Sequence, residues 1–434
     1  MLRKQNPQIP SVTGLVLVFC VAEWPDKPGY SGSRRQQRSG DALGVERIRF
    51  AVCLSAVAML AASCDAGVGS SSSQSPTAPI VMFAALYGDP GPNGDLGAST
   101  VMIVRADGQV RAKAAFTPRH TPVLGRAFTL LQPEARVANG RVYYVDGVGA
   151  IRSLSPSGQV DPITTFPLST QVDHELSFAV SPDGQSLVAS VITLPAVISN
   201  DQDTPIRDPN GHYLMDIYLA SSGGVAHAIR HQDLGSNRDS AMNGNIQLVG
   251  WDSAGPLATV NTYWATQQGS PGRYIYGFPL VHLSDSGRPG SAIGGSDCQP
   301  AGFLADGRVV CGSQASGVES LRTSSGNVQW SVTAPTSAYL LNAVPSPDGG
   351  AIAFANGVLM SNGSFVPTPE IQKGDPVLQI EGWLDSKSLV GAMSCGGQAP
   401  TCGHLAVAQV SDRMASIKDL GLRGTFVGVL SHPP

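Results

Sequence analysis

Two stretches of this chain share one turn. Residues 176–190, LSFAVSPDGQSLVAS, pass from an apolar segment through Ser-Pro-Asp-Gly into a second apolar segment. Residues 341–355, LNAVPSPDGGAIAFA, repeat the device. Pro182 presets φ at the first turn position, Asp183 can bond its own backbone, and Gly184 accepts φ > 0 without a Cβ clash. The Val, Leu and Phe on either side alternate, so each unit reads as a β-hairpin.

Weaker forms of the turn follow other apolar runs, at Ala138-Asn139-Gly140, Trp251-Asp252-Ser253, Ala305-Asp306-Gly307 and Leu384-Asp385-Ser386. A second class lies between them, at Ala106-Asp107-Gly108, Pro156-Ser157-Gly158, Ser222-Gly223, Asp285-Ser286-Gly287, Ser324-Ser325-Gly326 and Ser361-Asn362-Gly363. The two classes alternate strictly. A four-stranded antiparallel blade needs that order, one tight turn after its first strand and another after its third. Four strands in roughly 40–45 residues are the signature of a β-propeller.

The expected fold is all-β, a seven-bladed β-propeller over residues 80–434, with six or eight blades left open. Blades 2 to 7 take residues 127–166, 175–230, 246–293, 298–332, 339–366 and 378–420. Blade 1 begins near Ile80 and holds only three strands. Its fourth is TFVGVL at residues 425–430, so the C-terminal strand pairs into blade 1 and removes the open edges of the ring. The 50 glycines and 32 prolines suit short strands and tight turns. Beyond residue 80 there is no long capped amphipathic pattern of helical period. Charged residues are 14% of the chain and the net charge is −4, which leaves no basic face for nucleic acid.

The SPDG units resemble the repeats of TolB-type propellers and of the N-terminal propellers of prolyl-oligopeptidase-like peptidases, and their period is WD-repeat-like. The motif is clear in two blades and degraded in four. TolB-type proteins are envelope interaction modules, so the resemblance implies a binding role. TolB itself is soluble and six-bladed, so its particular partners are not implied. The chain as read leaves no stretch for a hydrolase domain, and the peptidase likeness does not extend to catalysis.

Residues 46–64, ERIRFAVCLSAVAMLAASC, have the layout of an export signal. Arg47 and Arg49 supply a positive start, residues 50–60 an apolar run too short to span a bilayer, and Ala61-Ala62-Ser63 small side chains before Cys64. The segment resembles a bacterial lipobox, although Ala61 stands where that family usually has Leu. The resemblance implies a signal peptide over residues 46–63, cleavage after Ser63 and a diacylglyceryl thioether on Cys64. Residues 64–79, rich in Ser, Gly and Pro, read as a flexible tether. The expected address is the outer face of a bacterial membrane, reached through the lipid anchor. Residues 1–45 read as a mis-annotated or disordered leader, with Val45 as the expected start.

Seven cysteines occur. Cys20 and Cys53 fall in the leader and signal, and Cys64 is the lipid site. In an exported protein, local pairing into Cys298–Cys311 and Cys395–Cys402 disulfides is expected. Metal binding is the alternative, and the absence of CxxC spacing argues against zinc.

Loops joining the second strand to the third, and the fourth to the next first, leave a propeller on one face, where function usually sits. Two such loops are long: residues 195–212, PAVISNDQDTPIRDPNGH, and residues 264–273, WATQQGSPGR. They belong to neighbouring blades and define a binding lip of Asp201, Asp203, Asp208, His212, Tyr263, Trp264, Arg273, Tyr274 and Tyr276. Carboxylates beside aromatics suit a sugar or a peptide; the alternative is a pair of ordinary insertions. No cofactor is expected, calcium being the one ion these carboxylates would suit. Residues 89–95 lack the ligands of an EF-hand loop. His227 and His231, four apart on a strand with Asp233 near, share one face and read as solvated outer-strand residues. No GxSxG, HExxH, P-loop or GxGxxG in context occurs.

The functional expectation is a non-catalytic cell-envelope lipoprotein whose propeller binds an envelope protein or glycan. The alternative is an enzyme using the central funnel, of the glycan lyase or quinone-dependent dehydrogenase type. It requires His, Arg and acidic side chains converging on the axis. A passive spacer is a third, weaker option.

Overall fold

The computed structural model describes residues 81–90, 96–117, 135–147, 149–169, 171–201, 204–236, 244–260, 279–313, 317–335, 343–372, 375–393, 403–411, 414 and 416–430. Among these there are strands, turns and bends and no helix. The leader, signal segment and tether lie outside them.

Seven four-stranded antiparallel sheets form the ring. Blades 2 to 7 begin with Ala135–Ala138, His174–Val180, Ile246–Asp252, Pro300–Phe303, Val344–Pro345 and Leu378–Trp383, and each runs outward in chain order. In blade 1 the order is Thr425–Leu430, Met82–Pro90, Leu96–Arg105 and Val110–Phe116, so the last strand of the chain is the innermost strand of the first blade. Its register sets Leu430 opposite Met82 and Thr425 opposite Leu86. The innermost strands touch in sequence round the axis: Thr425–Leu430 meets Ala135–Ala138, which meets His174–Val180, which meets Ile246–Asp252. On the other side Pro300–Phe303 meets Val344–Pro345, which meets Leu378–Trp383, which returns to Thr425–Leu430. The expected seven blades and the closing C-terminal strand are both present.

The core is divided into layers. Seven apolar clusters occur among the described residues, one for each pair of adjacent blades. Leu187, Ala189 and Val191 of blade 3 pack toward blade 2, while Val188 and Ile192 on the same strand pack toward blade 4. Both faces of an inner strand are therefore buried, and the sequence there is an apolar run instead of an alternation. Outer strands, such as Val328–Thr333, alternate exposed and half-buried positions.

The SPDG turn owes its closure to its serine. In blade 3 Ser181 Oγ donates to Asp183 Oδ1 and accepts from Ser186 N at 2.9 Å, while Gln185 N donates to Asp183 at 3.0 Å. Gly184 N closes the turn on Ser181 O at 2.8 Å, with Gly184 at φ 71°. Ser346, Asp348 and Ala351 repeat the arrangement in blade 6. These hydroxyl and amide bonds hold the Asp183 and Asp348 carboxyls below their ordinary range. A glycine makes another contact possible. A Cβ on Gly302, in the innermost strand of blade 5, would lie 2.4 Å from the carbonyl oxygen of Ala343 at the start of blade 6.

Candidate functional site

Residues 195–212 leave the loop face of blade 3 as a hairpin of their own, Val197–Asp201 paired with Thr204–Arg207. Arg207 fixes its base. The guanidinium, its side chain 5% exposed, donates through Nη1 to Pro195 O at 2.7 Å and through Nη2 to Asp173 Oδ2 at 2.6 Å. Asp173 belongs to the loop entering blade 3, so one side chain ties both loops together. Beside it, His174 Nε2 accepts from Ser169 N at 3.2 Å. That fixes the neutral tautomer with Nδ1 donating to Thr193 Oγ1 at 3.1 Å. Above this base Val197 and Ile198 are 42% and 60% exposed, and Val172 of the adjoining loop is 40% exposed.

The lip residues expected from sequence divide into three groups. Asp203, Tyr263, Trp264, Arg273, Tyr274 and Tyr276 lie outside the described residues, as does the side chain of Asp201, whose backbone pairs with Thr204 at the hairpin tip. Asp208 closes the base, accepting from Asn210 N at 2.9 Å through its carboxylate and from Gly211 N at 3.1 Å through its carbonyl. His212 Nδ1 lies 2.7 Å from Asp233 Oδ2, and both side chains are about half exposed. The Gly235 N–H, and then His212, hold the Asp233 carboxyl below its usual range.

His227 and His231 do not share a face. Ala228 pairs with Tyr218 and Arg230 with Ile217, so Ile229 is an extra, bulged residue that inverts the alternation between the two histidines. His231 instead meets Asp216 across the strands at 2.8 Å. Among the described residues no group of three or more His, Cys, Asp and Glu is placed to hold a metal ion.

Cys298 and Cys311 form a disulfide across the first hairpin of blade 5. Cys64, Cys395 and Cys402 lie outside the described residues.

On the inner strands, three polar side chains serve the ring itself. Arg136 donates through Nε to Phe178 O at 3.0 Å and through Nη2 to Leu248 O at 3.1 Å, and its cation lies 6.0 Å from the Phe178 ring centroid. Burial lowers its pKa to about 10. Ser177 Oγ accepts from Leu248 N at 2.9 Å, and Glu381 Oε2 accepts from Phe426 N at 2.6 Å. Each satisfies the backbone edge of a neighbouring blade.

Sequence reasoning missed Arg207 and Arg136, which look like ordinary polar residues in strand-like runs. A charged residue flanked by apolar ones on an inner strand, as in ARVA, was the available signal for Arg136.

The fold and these loops define the class, a seven-bladed β-propeller. No family model matches the chain, and no curated protein matches it. Among solved structures it is similar to an oligogalacturonate lyase in complex with manganese, at 10% identity and TM-score 0.44, covering 76% of this chain and 91% of that one. It is also similar to the Dos1 propeller, at 12% identity and TM-score 0.39, covering 82% and 85%. A protein of unknown function from Bacteroides caccae matches at 10% identity and TM-score 0.36, covering 81% and 98%.

Proposed function

We propose that this chain is a non-catalytic binding propeller of the bacterial cell envelope, exported and held to the outer face of a membrane by a lipid on Cys64. Its partner, a protein or a glycan, engages the blade 3 loop of residues 195–212. One observation carries the reading: a hairpin pinned at its base by Arg207 presents Val197 and Ile198 to solvent. Exposed apolar side chains on a braced strand suit a protein partner best, through apolar contact and strand addition. The funnel-enzyme alternative is disfavoured because Arg136, Ser177 and Glu381 are engaged with neighbouring backbone.

Cross-linking on intact cells tests the lip. The wild-type chain and Ile198→Asp are compared for the same cross-linked partner, with melting temperature as the control for folding. Loss of the adduct in a folded variant supports the reading; an unchanged adduct pattern removes it. The anchor is tested by metabolic labelling with an alkyne fatty acid. Cys64→Ala is expected to lose the label and leave the membrane fraction, and a labelled Cys64→Ala chain overturns the assignment.

A further inference from the structure

Between blades 7 and 1, toward the loop face, the two sheets part and leave a cleft of about 490 Å³. Its cause is a kink in the outermost strand of blade 7, Ile417–Arg423. There His404 pairs with Arg423 but Ala406 pairs with Asp419, so the outer strand carries two extra residues. Gly421, at the kink, has φ 66°, and its amide donates to Asp419 Oδ1 at 2.7 Å. Asp419 in turn lies 3.2 Å from His404 Nδ1, which fixes that wall. A Cβ on Gly421 would meet nothing within 4 Å, so this side is open.

The other wall is a cross-strand row of blade 1, Tyr87 opposite Thr100 and Thr100 opposite Ala115. Thr100 and Ala115 are small where larger side chains would close the blades together. Met102 and Leu422 form an apolar floor continuous with the core between blades 7 and 1. Lys113, paired across the strands with Met102, and Arg423 stand exposed at the rim. Neither side chain has a hydrogen-bond or ion-pair partner among the described residues. Three other surface arginines are paired, Arg105 with Asp107, Arg152 with Asp146 and Arg308 with Asp306.

We propose that this cleft binds a saccharide carrying an oxyanion, a carboxylate or a phosphate, with the anion at Lys113 and Arg423 and the sugar ring against Tyr87, Thr100 and the Met102–Leu422 floor. The two rim cations supply a point charge and a planar fork, the combination that holds oxyanions. An apolar floor beside one aromatic ring and two hydroxyls, those of Tyr87 and Thr100, has no use for a bare ion, but it suits the face of a sugar ring. The volume is in the range of small-ligand sites. The site is remote in the chain from residues 195–212 and does not depend on the role given to them.

Calorimetry on the purified chain at low salt tests the proposal. The probes are cellobiuronic acid, glucose 6-phosphate, neutral cellobiose and inorganic phosphate. At least one of the two acidic saccharides is expected to bind, with cellobiose and inorganic phosphate each weaker by about tenfold or more. Binding weakens as salt rises. Lys113→Gln combined with Arg423→Gln is expected to lose about tenfold in affinity at an unchanged melting temperature, and the single variants serve if the pair folds poorly. Four results overturn the proposal: no saccharide binding, cellobiose binding as tightly as the acids, phosphate alone binding as tightly, or substitutions without effect. Ile198→Asp leaves this binding intact, which separates its failure from failure of the lip.

Discussion

The guanidinium of Arg136 donates to the carbonyl oxygen of Leu248, 3.1 Å away and two blades further round the ring. On the way it bonds Phe178 O of the intervening blade. A single side chain thus satisfies two edge carbonyls that the innermost strands of blades 3 and 4 would otherwise leave facing the axis. Replacing Arg136 with Ala removes a buried cation and strands both acceptors, at a cost of about 3 kcal/mol. Lys is not an adequate substitute, because one ammonium lacks the fork that spans two acceptors. Urea denaturation of Arg136→Ala and Arg136→Lys checks this. A loss below about 1 kcal/mol in both shows that the two bonds contribute little net stability.

Glu319 makes stability depend on pH. It is fully buried on the third strand of blade 5, opposite Gly312, and its carboxyl has no hydrogen-bond partner among the described residues. A Cβ on Gly312 would sit 2.4 Å from Glu319 Oε2, so the glycine makes the space that the carboxyl occupies. Burial raises its pKa from the ordinary 4.5 to about 8. The folded value exceeds the unfolded one, so the folded chain keeps a proton that the unfolded chain has released. Stability from this group is complete below pH 4.5 and is lost as pH rises to about 8. At about 1.4 kcal/mol per pH unit the total is on the order of 5 kcal/mol. Glu319→Gln, which imitates the protonated acid, is expected to flatten that slope and to exceed the wild type in stability at pH 8. Parallel slopes between pH 5 and pH 8 in the two proteins refute the assignment.

The fold was legible in the sequence because turns carry their own chemistry. Ser, Asp and Gly at fixed positions in residues 181–184 and 346–349 announce the bonds that close the hairpins, and their alternation with a second turn class gives four strands per blade. TFVGVL was legible by subtraction, as an apolar run left over in a blade that was one strand short. The site was harder to read. Arg207 acts by reaching Asp173, which is 34 residues earlier, and no local pattern encodes that reach. The bulge at Ile229 broke the expected shared face of His227 and His231, because alternation holds only while the ladder is regular. The kink at Gly421 was invisible for the same reason.

The disulfide between Cys298 and Cys311 closes a loop of 13 residues in blade 5. On the chain-entropy model a loop of that length contributes about 3 kcal/mol. Cys311 also packs in the core between blades 4 and 5 with Leu257, Leu280 and Val309. Cys298→Ala combined with Cys311→Ala should therefore lower the urea midpoint, and reductant should lower that of the wild type by more than that of the variant, which keeps only the expected Cys395–Cys402 bridge to reduce. Identical sensitivity of the two proteins to reductant places the redox effect elsewhere.

Thr425–Leu430 serves two cores at once. Leu430 and Val427 pack between blades 1 and 2, while Phe426 and Val429 pack between blades 7 and 1. The Phe426 ring stands 5.9 Å from that of Phe83, and its amide is held by Glu381 of blade 7. Leu430 is buried and the other three are half-buried, so the four together contribute several kcal/mol, at full burial roughly 1.5–3 kcal/mol each, a large share of the stability of an ordinary domain. A chain ending at Gly424 is thus expected to lose cooperative unfolding and to aggregate through the freed inner edge of blade 1. Phe426→Ala, the milder change, should cost about 3 kcal/mol and keep a single transition. Light scattering and urea titration of the two variants read this directly. If the shortened chain unfolds at the full-length midpoint, the ring does not depend on its last strand.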